Sequence, residues 1–191
     1  MMTRRSLMIF IGFIGITGMV AIVLTIAVPR WIRGPKTTAV APAPTGLTSP
    51  GRRIKARLFY VADDGARLTN VERDVAYGEG TVEQARQIIE AQIAPVTQPL
   101  VSAVPPATKL RAIFVTEQGE AFVDFSPELA TGHTGGSTDE LLTVYTIVNA
   151  LTANLPAVKS VQLLIEGKQV ETLAGHVDLR RPLDTNLAWV Q

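Results

Sequence analysis

The sequence predicts an α+β fold: a two-layer domain with two helices packed on a small mixed β-sheet, preceded by one transmembrane helix and a Pro/Ala-rich linker. Three observations carry this. Between Arg52 and Gln191, short runs of period-two hydrophobicity alternate with two stretches of helical period. Each helical stretch opens on a Ser/Thr-x-x-Glu/Gln pattern, Thr81–Gln84 and Ser137–Glu140. Ahead of them lie an uncharged apolar run, Leu7 to Val28, and a proline-punctuated segment, Gly34 to Gly51.

Composition narrows the classes. The 191 residues are 47% hydrophobic with a net charge of +1, ordinary for one modest domain plus an appendage, and the balance gives no reason to propose nucleic acid as a partner. There are no cysteines. That excludes disulfides, thiolate metal sites, cysteine nucleophiles and a lipid-modified N-terminal cysteine.

Residues 1–33 read as a transmembrane signal-anchor. About 20 uncharged residues cross a bilayer as a helix, and Leu7–Val28 suffices. Thr25-Ile26-Ala27 before Pro29 is a poor cleavage site, which argues against a removed signal peptide, and Trp31 between Arg30 and Arg33 has the character of an interfacial anchor. Basic residues flank both ends, so charge counting is near a tie. The short leader Met1-Met2-Thr3-Arg4-Arg5 places the N-terminus in the cytoplasm and the C-terminal domain outside, in the periplasm of a cell with an inner membrane. Residues 34–51 read as a linker. With Pro35, Pro42, Pro44 and Pro50 the segment favours polyproline II, and at about 3.1 Å per residue it reaches about 55 Å when extended.

The folded part is residues 52–191. Ile54, Ala56, Leu58 and Tyr60 alternate as the buried face of a strand, and Asp63-Asp64-Gly65 turns the chain as a hairpin. The aspartate pair lacks the further oxygen ligands and distal Glu of a calcium loop. Arg73 to Tyr77 adds a short strand. Thr81 is expected to cap a helix whose stripe is Val82, Ala85, Ile88, Ile89 and Ile93, closed by Pro95. After a proline-rich loop, Leu110–Thr116 and Glu120–Phe125 form a hairpin about Glu117-Gln118-Gly119, with Leu110, Ala112 and Phe114 facing the core beside Ala121, Val123 and Phe125.

Gly135-Gly136-Ser137-Thr138-Asp139-Glu140 admits two readings. Chemically, His133, Ser137 and the two carboxylates suggest a hydrolytic site. The nucleophile elbow Gly-x-Ser-x-Gly is absent, however, because Thr138-Asp139 follows the serine. As a helix start, Ser137 caps, Glu140 reaches back, and Asp139 with Glu140 complements the helix dipole. On this reading Ser137→Ala costs roughly 0.5–2 kcal/mol as a lost cap. Leu141, Val144, Val148, Leu151 and Leu155, widened by Leu142, Tyr145 and Ile147, make this the more deeply buried helix, ended by Leu155-Pro156. Val161–Ile165 is a strand turning at Glu166-Gly167-Lys168 into Gln169–Leu173. Gly175 to Leu183 is an extended polar tail whose His176 has no companion at metal-ligand spacing. No catalytic, cofactor or metal residue is assigned.

The ordered series Lys55-Ala56-Arg57-Leu58-Phe59-Tyr60-Val61, helix Gln84–Ile93, Pro105-Pro106-Ala107-Thr108-Lys109-Leu110, Ala121-Phe122-Val123-Asp124-Phe125-Ser126, Gly136-Ser137 into Leu141–Thr152, Val158-Lys159-Ser160-Val161 and the Glu166-Gly167 turn resembles the GerMN (Germane) domain family. The resemblance covers roughly Arg52 to Leu183. It implies a non-enzymatic module of the bacterial cell envelope linked to sporulation or spore germination, similar in architecture to ring-building domains and carrying no catalytic residues. The expected function is a membrane-anchored, extracytoplasmic interaction or scaffolding module whose partners are the membrane, envelope proteins and further copies of itself. The alternative is a cell-wall (peptidoglycan) or small-ligand binding accessory domain.

Overall fold

The structure is a computed structural model that describes residues 51–133 and 135–191. The predicted transmembrane segment and almost all of the linker lie outside the described residues. Among the described residues no helix is long and apolar enough to cross a membrane. Pro50–Gln191 forms one compact unit.

Its elements are β1 (Arg53–Val61), β2 (Leu68–Ala76), α1 (Gly80–Ile93), β3 (Leu110–Val115), β4 (Glu120–Phe125), α2 (Glu128–Thr131), α3 (Ser137–Thr152), β5 (Ser160–Ile165), β6 (Lys168–Gln169) and β7 (Leu183–Asp184). The α+β class holds, with one revision: the strands form two sheets. β1 and β2 are a separate antiparallel hairpin, while β3-β4-β5-β6 with β7 on β5 make the second sheet. That second sheet is mixed as expected, because α3 carries the chain across from β4 to a parallel β5.

The hairpin does not join the larger sheet because the free edge of β1 is already occupied. Arg57 exchanges both backbone hydrogen bonds with the Asn154 side chain (2.8 and 2.7 Å). Phe59 does the same with buried Gln92 of α1 (2.9 and 2.7 Å). Two residues on, Val61 N–H donates to Val101 O at 2.8 Å. Alternate residues of an edge strand point their amides the same way, so the side chains of Gln92 and Asn154 and the carbonyl of Val101 stand where a neighbouring strand would be.

Local patterns were revised where long-range packing decided. Asp64 closes the predicted turn by accepting from the amides of Ala66 and Arg67. β2 is longer than Arg73–Tyr77 because its mostly polar residues pair along the whole of β1. Thr81 does not cap α1: the N-cap is Glu79, without a side-chain bond. Gln84 does reach back, but to Gly78 N–H (2.9 Å) and Ala76 O (3.2 Å). Val82 is exposed, while Gln84 and Gln92 turn inward with Ala85, Ile88 and Ile89. On β3 a register shift between Leu110 and Ala112 changes the phase, so Ile113 is buried and Phe114 is 65% exposed. Ala121, Val123 and Phe125 are buried as expected. The predicted Gln169–Leu173 strand shrinks to β6. The tail is less polar in its packing than in its sequence, since Leu179 is buried and Leu183 pairs with Val161. Helix α2 was not among the expected elements, although Ser126-Pro127-Glu128 is a helix-start pattern.

The core gathers α3 and α1 against the inner faces of both sheets, with Tyr60, Phe59, Phe125, Ile147 and Leu163 among its largest members. α3 is the more buried helix, with ten of its sixteen residues inaccessible from Glu140 to Leu151.

Candidate functional site

Gly135 and Gly136 enter α3 with φ of 90° and 103°, values that glycine reaches without the clash a Cβ would cause. Gly136, not Ser137, is the N-cap, and no side chain caps the helix. Ser137 is the first helical residue and is exposed. The expected capping box is therefore replaced by a different use of the same residues.

Glu140 is fully buried. Its Oε1 accepts from Leu173 N–H at 2.8 Å, and its Oε2 from His176 N–H at 2.8 Å. The His176 ring Nδ1 lies 3.1 Å from the same Oε2. Burial pushes this carboxyl up, but the amides of Ala174, His176, Leu173 and Val177 outweigh it and hold Glu140 below the ordinary glutamate value. Glu140 thus anchors the loop that follows β6. His176 is half exposed at the outer end of that clamp.

One turn outward, α3 forms part of a cleft of about 390 Å³. Asp139 and Leu142 line it from the helix, the Val101–Pro106 segment forms the facing wall, and His133 closes one end. The Thr143 hydroxyl donates to Ala103 O at 2.6 Å, tying that wall to α3. A hydroxyl has one proton, so Thr143 accepts from His133 Nε2 at 3.1 Å. This contact sets the Nε2–H tautomer for a neutral ring, with Nδ1 facing away from Thr143. His133 Nδ1 and Thr146 Oγ1 are the buried side-chain polar atoms without a partner among the described residues. Asp139, Leu142, Thr143 and Thr146 share one face of α3 by their spacing.

His133 hydrogen-bonds Thr143 rather than Ser137, so the residues that suggested hydrolysis serve separate places: Ser137 the surface, Asp139 the cleft and Glu140 the loop clamp. Among the described residues no group of three or more His, Asp or Glu is placed to hold a metal ion. Sequence reasoning missed Gln92, Asn154 and the role of Glu140. The signal for Gln92 was a polar residue three positions after Ile89 on the apolar stripe. For Glu140 the local pattern was indistinguishable from a cap.

On the outer side of the larger sheet, Phe114 pairs with Phe122 and Phe122 with Gln162, so these three share a face. Gln162 is covered, donating to Leu179 O at 2.6 Å. Phe114 is open, and Phe122 and Leu164 are partly so.

The profile of the Germane family, described as sporulation and spore germination, matches residues 57–171. The chain belongs to the Germane family. The match runs from within β1 to just beyond β6, so in this Germane domain the Glu140 carboxylate lies inside the matched span and its loop partners Leu173 and His176 just outside it. Two solved structures share the fold. One is the crystal structure titled "Putative Lipoprotein from Clostridium perfringens", with 21% identity and a TM-score of 0.50, covering 69% of this chain and 87% of that one. The other holds the tandem GerMN domains of the sporulation protein GerM from Bacillus subtilis, with 16% identity and a TM-score of 0.54, covering 70% of this chain and 46% of that one. No curated protein matches the chain in sequence.

Proposed function

We propose that this Germane protein is a membrane-anchored, extracytoplasmic interaction module of the bacterial cell envelope, scaffolding envelope proteins or copies of itself and catalysing no reaction. The observation that carries the reading is the open face of β3 and β4. Phe114 stands 65% exposed beside Phe122 on a strand at the edge of its sheet, and exposed aromatics in register are the kind of surface that proteins bury against one another. Anchoring is supported by the uncharged run Leu7–Val28, and a link to sporulation or germination by the family's description. The first structural relative is titled a lipoprotein, which agrees with an envelope setting for the fold.

The test is light scattering coupled to size exclusion on Pro50–Gln191, with Phe114→Asp as the variant. Association that Phe114→Asp abolishes, with the melting temperature unchanged, supports the module. A strictly monomeric domain that sediments with cell wall sinks it. The cleft beside α3 favours a second reading, a small-ligand or cell-wall binding accessory domain, because its volume falls in the range of ligand pockets.

A further inference from the structure

The hairpin of β1 and β2 treats its two edges unequally. The outer edge of β1 is closed by Asn154, Gln92 and Val101. That of β2 is engaged at its first residue. There Leu68 N–H donates to Trp189 O at 2.7 Å and Leu68 O accepts from Gln191 N–H at 2.8 Å, with Val190 lying parallel to it. Outward backbone groups recur at every second residue, so those of Asn70 and Glu72 and the N–H of Asp74 face the same way and meet no strand. Asp74 O accepts from Arg53 Nη2 at 2.8 Å. Asn70, Glu72 and Asp74 are exposed, and β2 keeps register with β1 along its whole length without a bulge or a proline. A flat, open edge of this kind is a template for another strand.

The side chains decide which strand. A second copy is opposed: twofold antiparallel pairing centred on Glu72, Arg73 or Asp74 sets carboxylate against carboxylate. Centring it on Val71 puts Asp74 on Leu68, where Val190 already sits. Lys55 answers Asp74 at 2.9 Å, whereas Glu72, opposite Arg57 in register, makes no ion pair among the described residues. We infer that the open edge of β2 binds an extended basic segment of another protein as an added strand, with a lysine or arginine opposite Glu72. Backbone hydrogen bonds at Asn70 and Glu72 hold the strand, and the carboxylate selects it. On the opposite face Thr69 and Val71 are partly exposed, which suits β-branched residues between the cations. The inference rests on the reading of the domain as an interaction module and names a surface separate from Phe114.

The experiment titrates the ¹⁵N-labelled full chain, held in non-ionic detergent micelles, with acetyl-Thr-Val-Lys-Val-Lys-Val-Thr-amide. The same peptide with glutamate for both lysines runs alongside, as do forms N-methylated at the lysine amides or at the valine amides. The expected result is saturable shifts and slowed hydrogen exchange at the Asn70 and Glu72 amides. The glutamate peptide, and separately Glu72→Lys, turn an attraction into a repulsion and are each expected to weaken binding about tenfold. Glu72 is exposed, so its variant keeps the native amide spectrum elsewhere. One methylated form is expected to bind as the parent does and the other not at all. Loss on the lysine amides reads an antiparallel strand, and loss on the valine amides a parallel one; either supports the inference. Equal binding of the glutamate peptide overturns the basic partner, and equal binding of both methylated forms overturns strand addition. No binding of the lysine peptide, or shifts confined to other elements, overturns the site. The interaction-module reading is judged apart, because Phe114→Asp is expected to leave this titration unchanged while light scattering tests the Phe114 face.

Discussion

Removing the Glu140 carboxylate is the sharpest perturbation available, because two accounts of the same four residues predict opposite outcomes. If Ser137 and Glu140 formed a capping box, Ser137→Ala would be the costly change. In the structure Ser137 is exposed and makes no capping bond, so Ser137→Ala is expected to move stability by no more than about 0.5 kcal/mol. Glu140→Ala takes an acceptor from Leu173 N–H, which is buried, and from the amide and ring of His176, which are not. An orphaned buried amide costs about 1–3 kcal/mol, and the lost charge-assisted bonds at His176, softened by water, add about 1 kcal/mol. Relief of burying the carboxylate offsets part of this, leaving about 2 kcal/mol. For a unit of this size that is a fall in Tm of about 7 °C. Urea unfolding and thermal melts of the two variants measure it, and hydrogen exchange at Leu173 and His176 locates it. A Glu140→Ala protein that melts with the native chain, or a Ser137→Ala protein that loses more than about 1 kcal/mol, would refute the reasoning.

The same clamp sets a pH dependence. Glu140 titrates below its ordinary value in the folded state, so its contribution is fully present above about pH 4.3 and is lost as pH falls through the folded-state value. Acid unfolding of Glu140→Gln should lack that part of the native curve. Gln92→Leu leaves both backbone groups of Phe59 without partners in the core and is expected to cost about 2–5 kcal/mol by urea titration, whereas the more exposed Asn154→Ala costs about 1 kcal/mol. Gly78→Ala places a Cβ 2.4 Å from the backbone at Gln84, where nothing flexible can give way. It is expected to destabilise by about 3 kcal/mol or more, read as loss of soluble folded chain on expression.

How much of this was legible in the sequence depended on how far each residue's partner lay along the chain. The Asp63-Asp64-Gly65 turn, the Glu117-Gln118-Gly119 hairpin and the existence of α3 are governed by neighbours and were read correctly, although α3 ends at Thr152 and not at Leu155. The phase of β3 was not, because a single register shift after Leu110 turns Phe114 outward and Ile113 inward without any mark in composition. Glu140 shows the limit most plainly. Ser-x-x-Glu before an apolar run is the pattern of a cap whether or not the Glu has a better offer, and here the offer comes from amides 33 and 36 residues away. Gln92 and Asn154 were invisible for the same reason. Their side chains satisfy backbone groups that a sequence-based reading assumes to be satisfied by another strand. The cleft inherits this blindness, since Asp139, His133 and Ala103 meet only once α3 is docked.

The stitching of β1 has a mechanical consequence. A pull applied at Arg53 along the axis of this strand would load β1 first. The strand is held on one edge by β2 over its whole length and on the other by Asn154, Gln92 and Val101. Both rows lie across the direction of pull, so tension entering from the N-terminal side is shared by many bonds at once instead of opening them one after another. The side-chain amides of Asn154 and Gln92 that keep a neighbouring strand away therefore also brace the first strand against such a pull.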